Sequence, residues 1–118
     1  MPTMFTTTRI LLAAALMVSL ATATTLRAGQ GDAKRGQEVY AAQKCSLCHA
    51  IAGKGGKANP LDGVGAKLTA DDIRQWITHP TEMTAKAKST KKPPMPNKYG
   101  TLPAADLDAL VAYMASLK

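Results

Sequence analysis

Cysteine is scarce in this chain: 118 residues hold two, Cys45 and Cys48, too few for the multiply bridged frameworks that hold small secreted domains together. Aromatic residues are scarcer still for the length, at 4%, and no nucleic-acid-binding motif accompanies the lysines, which argues against a nucleic-acid partner. No alternating run of β-branched residues occurs, so strands are not expected, and no internal repeat is present. The stretch Gly53 to Lys57 does not match a phosphate-binding loop. A bilayer-spanning helix needs roughly 20 consecutive apolar residues, whereas the run Ile10 to Leu20 is interrupted at Ser19 and followed by Thr22, Thr24 and Thr25.

What that run does resemble is an export leader. Arg9 precedes it, and small residues follow in Ala21-Thr22-Ala23 and again before Ala28-Gly29, which predicts a secretory signal over residues 1–28 and a mature domain over 29–118. Neither cysteine lies where a lipid anchor would need one. The expected product is therefore exported, periplasmic or otherwise secreted, and not inserted in a membrane. Loss of Arg9 and Arg27 leaves 13 basic residues against 8 acidic and lowers the formal net charge from +7 to +5. A chain of this size builds a marginal core alone, so a bound group is expected to complete it.

Three helices are predicted, giving an all-α fold. Asp32 and the following residues through Tyr40 read as a first, N-capped helix with Gly36 and Tyr40 stacked four apart. Thr69 with Asp72 forms a capping box ahead of Ile73, Trp76 and Ile77, and Pro80 is expected to end that middle helix. Pro103 opens a terminal helix whose apolar stripe is Leu107, Leu110, Val111, Met114 and Leu117. Between them, Gly53 to Gly65 reads as a wrapped loop, and Pro80 to Tyr99, with Pro93-Pro94-Met95-Pro96, as a long loop without period, a kind that is usually functional.

The chemistry lies in Cys45-Ser46-Leu47-Cys48-His49. Two cysteines three residues apart, followed at once by histidine, form the attachment pattern for a c-type haem: one turn presents both thiols to the vinyl groups, and His49 supplies an axial imidazole. Three other readings use the same residues. A dithiol redox motif favours a βαβ setting that is missing here. Zinc could take Cys45, Cys48, His49 and His79, although adjacent Cys48 and His49 depart from its usual spacing. A Cys45–Cys48 disulfide would close too small a loop to stabilise much.

For the second axial position the candidates are His79, Met83, Met95 and Met114. Met95 is preferred, because flanking prolines keep it out of a helix and restrict its backbone. Met114 sits on the apolar stripe and reads as core filler. Met83 ranks second. His79, at a helix end before Pro80, reads as a surface residue.

Taken together, the Cys45 to His49 motif, Met95-Pro96 and the ending Asp106-Leu107-Asp108-Ala109-Leu110-Val111-Ala112-Tyr113-Met114 resemble a class I cytochrome c, a small monohaem protein, over essentially the whole mature chain. The resemblance implies one covalent haem c with the first and last helices crossing at Gly36, Tyr40, Leu110 and Tyr113. It implies a proline carbonyl, that of Pro60, accepting a hydrogen bond from His49. It also implies Trp76 and Tyr99 as haem-pocket contacts.

With both faces of the iron filled by protein, outer-sphere electron transfer is expected rather than catalysis on substrate. Lys86, Lys88, Lys91, Lys92 and Lys98 surround Met95 in sequence, with Glu82 the one acid of that loop. Such a collar suits an acidic redox partner met transiently by a monomeric carrier. A fixed subunit of a larger enzyme, or a gas sensor whose Met95 detaches, are the alternatives.

Overall fold

The structure is a computed structural model that describes residues 32–118; the expected signal over 1–28 and residues 29–31 lie outside the described residues. The first helix, α1, occupies residues 32–42. Asp32, expected at the start of the helix, is itself helical. Four further helices follow: α2 (Val64–Lys67), α3 (Ala70–Thr78), α4 (Pro80–Lys86) and α5 (Ala104–Ser116). Two 3-10 turns, Cys45–Leu47 and Asn97–Thr101, flank the functional segments.

α3 starts where the capping box predicts. Thr69 Oγ1 accepts from the Asp72 amide at 3.1 Å, and the Asp72 carboxylate accepts from the Thr69 amide at 3.1 Å, satisfying two of the donors that a helix start leaves free. Ile73 and Ile77 from α3, Val39 and Tyr40 from α1, and Leu107, Leu110, Val111 and Met114 from α5 form the buried core. Each such side chain contributes roughly 1.5–3 kcal/mol when fully buried. Arg35 pairs with Asp106 at 2.7 Å and Arg74 pairs with Asp108, tying α1 and α3 to α5. These pairs are exposed and set orientation more than stability.

Gly36 brings α1 against α5. A Cβ at this position would stand 2.0 Å from the Ala109 carbonyl oxygen and 2.5 Å from Tyr113 Cβ. The crossing expected at Gly36, Tyr40, Leu110 and Tyr113 is present, and the Tyr40 and Tyr113 rings meet edge to face with centroids 5.9 Å apart, a favoured aromatic geometry.

Two expectations are corrected. Pro80 does not simply end the middle helix; it occupies the first position of α4, where a missing N–H and a fixed φ are compatible with helix. The break falls at His79, whose φ of −130° and ψ of 52° leave the helical region, as the residue before a proline tends to do. The loop without regular structure thus shrinks to residues 87–96. Strands, which were not expected, also occur: β1 (His49–Ile51), β2 (Lys54–Gly55) and β3 (Asn59–Pro60) form a small sheet in the order β2-β1-β3. β1 pairs antiparallel with β2 and parallel with β3, with His49 opposite Asn59. With two or three residues each, they are too short to carry a readable period. The fold remains all-α in its bulk and core.

Candidate functional site

The Cys45 to His49 segment is set between α1 and the sheet. Lys44 takes a left-handed conformation, φ 56° and ψ 35°, which turns the chain out of α1 into the 3-10 turn bearing Cys45. The Gly56 amide donates to the Ser46 carbonyl at 2.9 Å, so the residue just after β2 supports that turn. The two cysteines form no disulfide: Cys45 is half-buried and Cys48 exposed. Burial pushes the Cys45 thiol above its ordinary pKa, against a smaller opposing pull from Lys98.

His49 is held at two points. Its Nδ1 lies 3.0 Å from the Asn59 carbonyl oxygen, so Nδ1 carries the proton in that bond and Nε2 is left with its lone pair free. This corrects the expectation for Pro60. The carbonyl in reach is that of the preceding residue, because the parallel register sets His49 opposite Asn59. Pro60 itself is exposed and lines neither cavity described below. The second point is Tyr40, whose hydroxyl donates to the His49 carbonyl at 3.0 Å. Burial raises the Tyr40 phenol pKa to about 12, so it remains a donor across the neutral range. The sequence signal for this contact is the tyrosine itself: a phenol at a buried helix crossing needs a partner for its O–H.

Two cavities open beside His49. The inner one, about 210 Å³, is walled by core side chains including Leu68, Ile73, Ile77, Leu110 and Met114. The outer one, about 610 Å³, is walled by residues of the loop after α4, including Ser89, Lys91, Pro93, Pro94 and Pro96, and by Tyr99. Cys45, His49, Trp76 and Met95 line both, so the two are parts of one crevice. Trp76, Tyr99 and Met95 are half-buried. Of the alternative iron ligands, Met83 and His79 line neither cavity, and Met114 lines the inner one from within the core.

A flat, largely apolar prosthetic group with two thiol-reactive edges fits this crevice. Its inner walls are apolar, its mouth carries Cys45 and Cys48, and an imidazole and a thioether, both soft or borderline donors suited to iron, line it. The zinc reading has no counterpart: among the described residues, no group of three or more histidine, cysteine or acidic side chains converges on a metal position.

Helices packed around such a crevice, with an attachment motif at its mouth, define a haem-holding domain. The chain belongs to the cytochrome c family, whose family model matches residues 33–118. No curated protein and no solved structure matches it significantly. As in that family, its cofactor is covalent haem c and its activity is electron transfer.

The lysines expected around Met95, namely Lys86, Lys88, Lys91, Lys92 and Lys98, are all exposed, as is Glu82. Lys98 stacks over the Tyr99 ring, with Nζ 5.1 Å from its centroid. No helix among the described residues is long and apolar enough to cross a membrane.

Proposed function

We propose that this protein is an exported, soluble one-electron carrier whose haem is joined through Cys45 and Cys48 and ligated by His49 and Met95. The observation that carries the reading is the shared crevice: the imidazole and the thioether come from distant parts of the chain and line the same apolar cavity. When bound, the group supplies a reversible iron couple at a potential that a methionine ligand raises.

The chain's own residues do the rest. The Asn59 carbonyl fixes the His49 ring and its tautomer, so Nε2 is presented to the iron without rearrangement between oxidation states. Prolines on either side of Met95 limit its backbone freedom, which keeps the thioether in place and leaves no open coordination site for substrate; a carrier rather than an enzyme results. Trp76 and Tyr99 border the crevice and shield it from water. Residues 1–28 direct export to the periplasm or beyond, and cleavage leaves Gly29 as the new N-terminus.

Partner choice falls to charge. The exposed lysines around Met95 favour an acidic docking face on a redox protein, met through a small, short-lived contact.

The test is spectroscopic. The purified oxidised protein is expected to show the weak far-red sulfur-to-iron band of methionine ligation, and Met95→Ala to lose it while the haem stays covalently attached. An unchanged band in Met95→Ala rules out Met95. Rapid carbon monoxide binding by the reduced wild type points instead to a sensor, and co-purification with a larger enzyme to a fixed subunit.

A further inference from the structure

The Met95 segment is tied to the rest of the chain at one place. Among the described residues, the α4 end is closed by hydrogen bonds from the Lys88 and Ser89 amides to Ala85 and Thr84. The far end is held by Thr81 Oγ1 donating to Asn97 Oδ1 at 2.9 Å. Between these, residues 90–96 make one hydrogen bond to a distant part of the chain, from Lys91 Nζ to the Ala58 carbonyl at 2.6 Å. Ala58 directly precedes Asn59, whose carbonyl holds the His49 ring at 3.0 Å. The chain segment that orients the histidine, at the turn into β3, therefore also receives the methionine loop, through adjacent carbonyls.

We infer that Lys91 is a positioning residue, a tie across the crevice that holds the Met95 loop closed against the His49 side. It builds on the reading of Met95 as an iron ligand and goes beyond it. Lys91 differs in this from Lys92, its equally exposed neighbour, which makes no such bond among the described residues. Four prolines and lysines in sequence, Lys91-Lys92-Pro93-Pro94, stiffen the segment locally, yet stiffness alone does not fix where a loop rests; an anchor does. Removing the anchor leaves a loop of ordinary covalent geometry with a higher population of the open form, in which Met95 stands away from the iron.

The experiment compares wild type, Lys91→Met, Lys91→Arg and Lys92→Met as haem-loaded protein, with two readouts. The first is the affinity of the oxidised protein for imidazole, which competes with Met95. Lys91→Met should bind it about 2- to 10-fold more tightly, the factor that one net hydrogen bond represents. Lys92→Met, which loses the same charge, should stay near wild type, and Lys91→Arg should recover part of the difference. The second readout is amide hydrogen exchange at Lys88 and Ser89 and at residues 97–98, which should quicken in Lys91→Met alone. Equal behaviour of Lys91→Met and Lys92→Met in both measurements overturns the tie and reduces Lys91 to surface charge. A wild type without the far-red band but with exchange quickened in Lys91→Met keeps the tie and refutes the ligand assignment, so the two readings fail separately.

Discussion

Substituting alanine for Gly36 adds one methyl group to a helix, a change that by propensity alone stabilises by about 0.5–1 kcal/mol. Here it should do the opposite. The new Cβ would meet the Ala109 carbonyl oxygen at 2.0 Å, Tyr113 Cβ at 2.5 Å and the Ala109 carbonyl carbon at 2.7 Å, all well inside the ~3.5 Å at which such atoms rest. The obstacles are backbone and a Cβ, so no side chain can rotate away, and α1 has to lift from α5. That loosens Val39 and Tyr40 against the core, with the 5.9 Å edge-to-face pair of Tyr40 and Tyr113. Overpacking of this kind costs about 1–3 kcal/mol, and loss of contact along the crossing puts Gly36→Ala near the upper end. For a domain of this size a loss of ~2–3 kcal/mol lowers Tm by about 10–20 °C. The assay is urea unfolding of the haem-loaded protein followed by circular dichroism and haem absorbance, with an unchanged m-value as the sign that only stability moved. Gly53→Ala is the internal comparison: at φ 76° with nothing within 4 Å of its Cβ position, it should cost only the ~1 kcal/mol of a left-handed alanine. A Gly36→Ala protein as stable as wild type, or more so, refutes the close crossing.

Two further outcomes follow from the polar contacts. Tyr40→Phe keeps the ring and removes only the donor to the His49 carbonyl; it should fold, attach haem and unfold about 1 kcal/mol more easily, and a difference below about 0.3 kcal/mol in urea titration would mean that this hydrogen bond is no better than one to water. Asp72 has its pKa lowered by accepting hydrogen bonds from the Thr69 side chain and then from its amide. Since the folded carboxylate binds its proton less readily than the unfolded one, its contribution is complete above roughly pH 4 and vanishes as acid protonates it. Asp72→Asn should therefore be less stable than wild type near neutrality, with the gap closing as the pH falls and the carboxylate takes up its proton; a gap that stays constant with pH would assign the loss to the cap geometry rather than to the charge.

The parts of this fold that were legible in the sequence are those specified by neighbours. Thr69 and Asp72 announce α3 because a capping box is complete within four residues, and the α5 stripe is readable because it repeats along one helix. Cys45, Cys48 and His49 declare themselves through adjacency. What the sequence hid depends on register and on contacts at a distance. Proline is a stop inside a helix and a start at its first position, and only the conformation of His79 decides which applies to Pro80. The strands around His49 carry no period because they exist to hold one ring, and the shift of its partner from Pro60 to Asn59 is a matter of pairing parity. No local signal separates Lys91 from the lysines beside it.

The two walls of the crevice differ in how far along the chain their supports reach. Around His49 the hydrogen bonds that hold the residue itself are short-range: Tyr40 lies nine residues away and Asn59 ten, and Gly56 with Ser46 and Leu61 with Ala50 brace the segments beside it. This wall can form early from a stretch of chain little more than twenty residues long, since local contacts cost least in loop entropy. The opposite wall waits for α5 to dock on α1 and for the loop after α4 to come home. From these separations the methionine side is expected to close last and let go first, with the histidine side keeping hold of the covalently attached group.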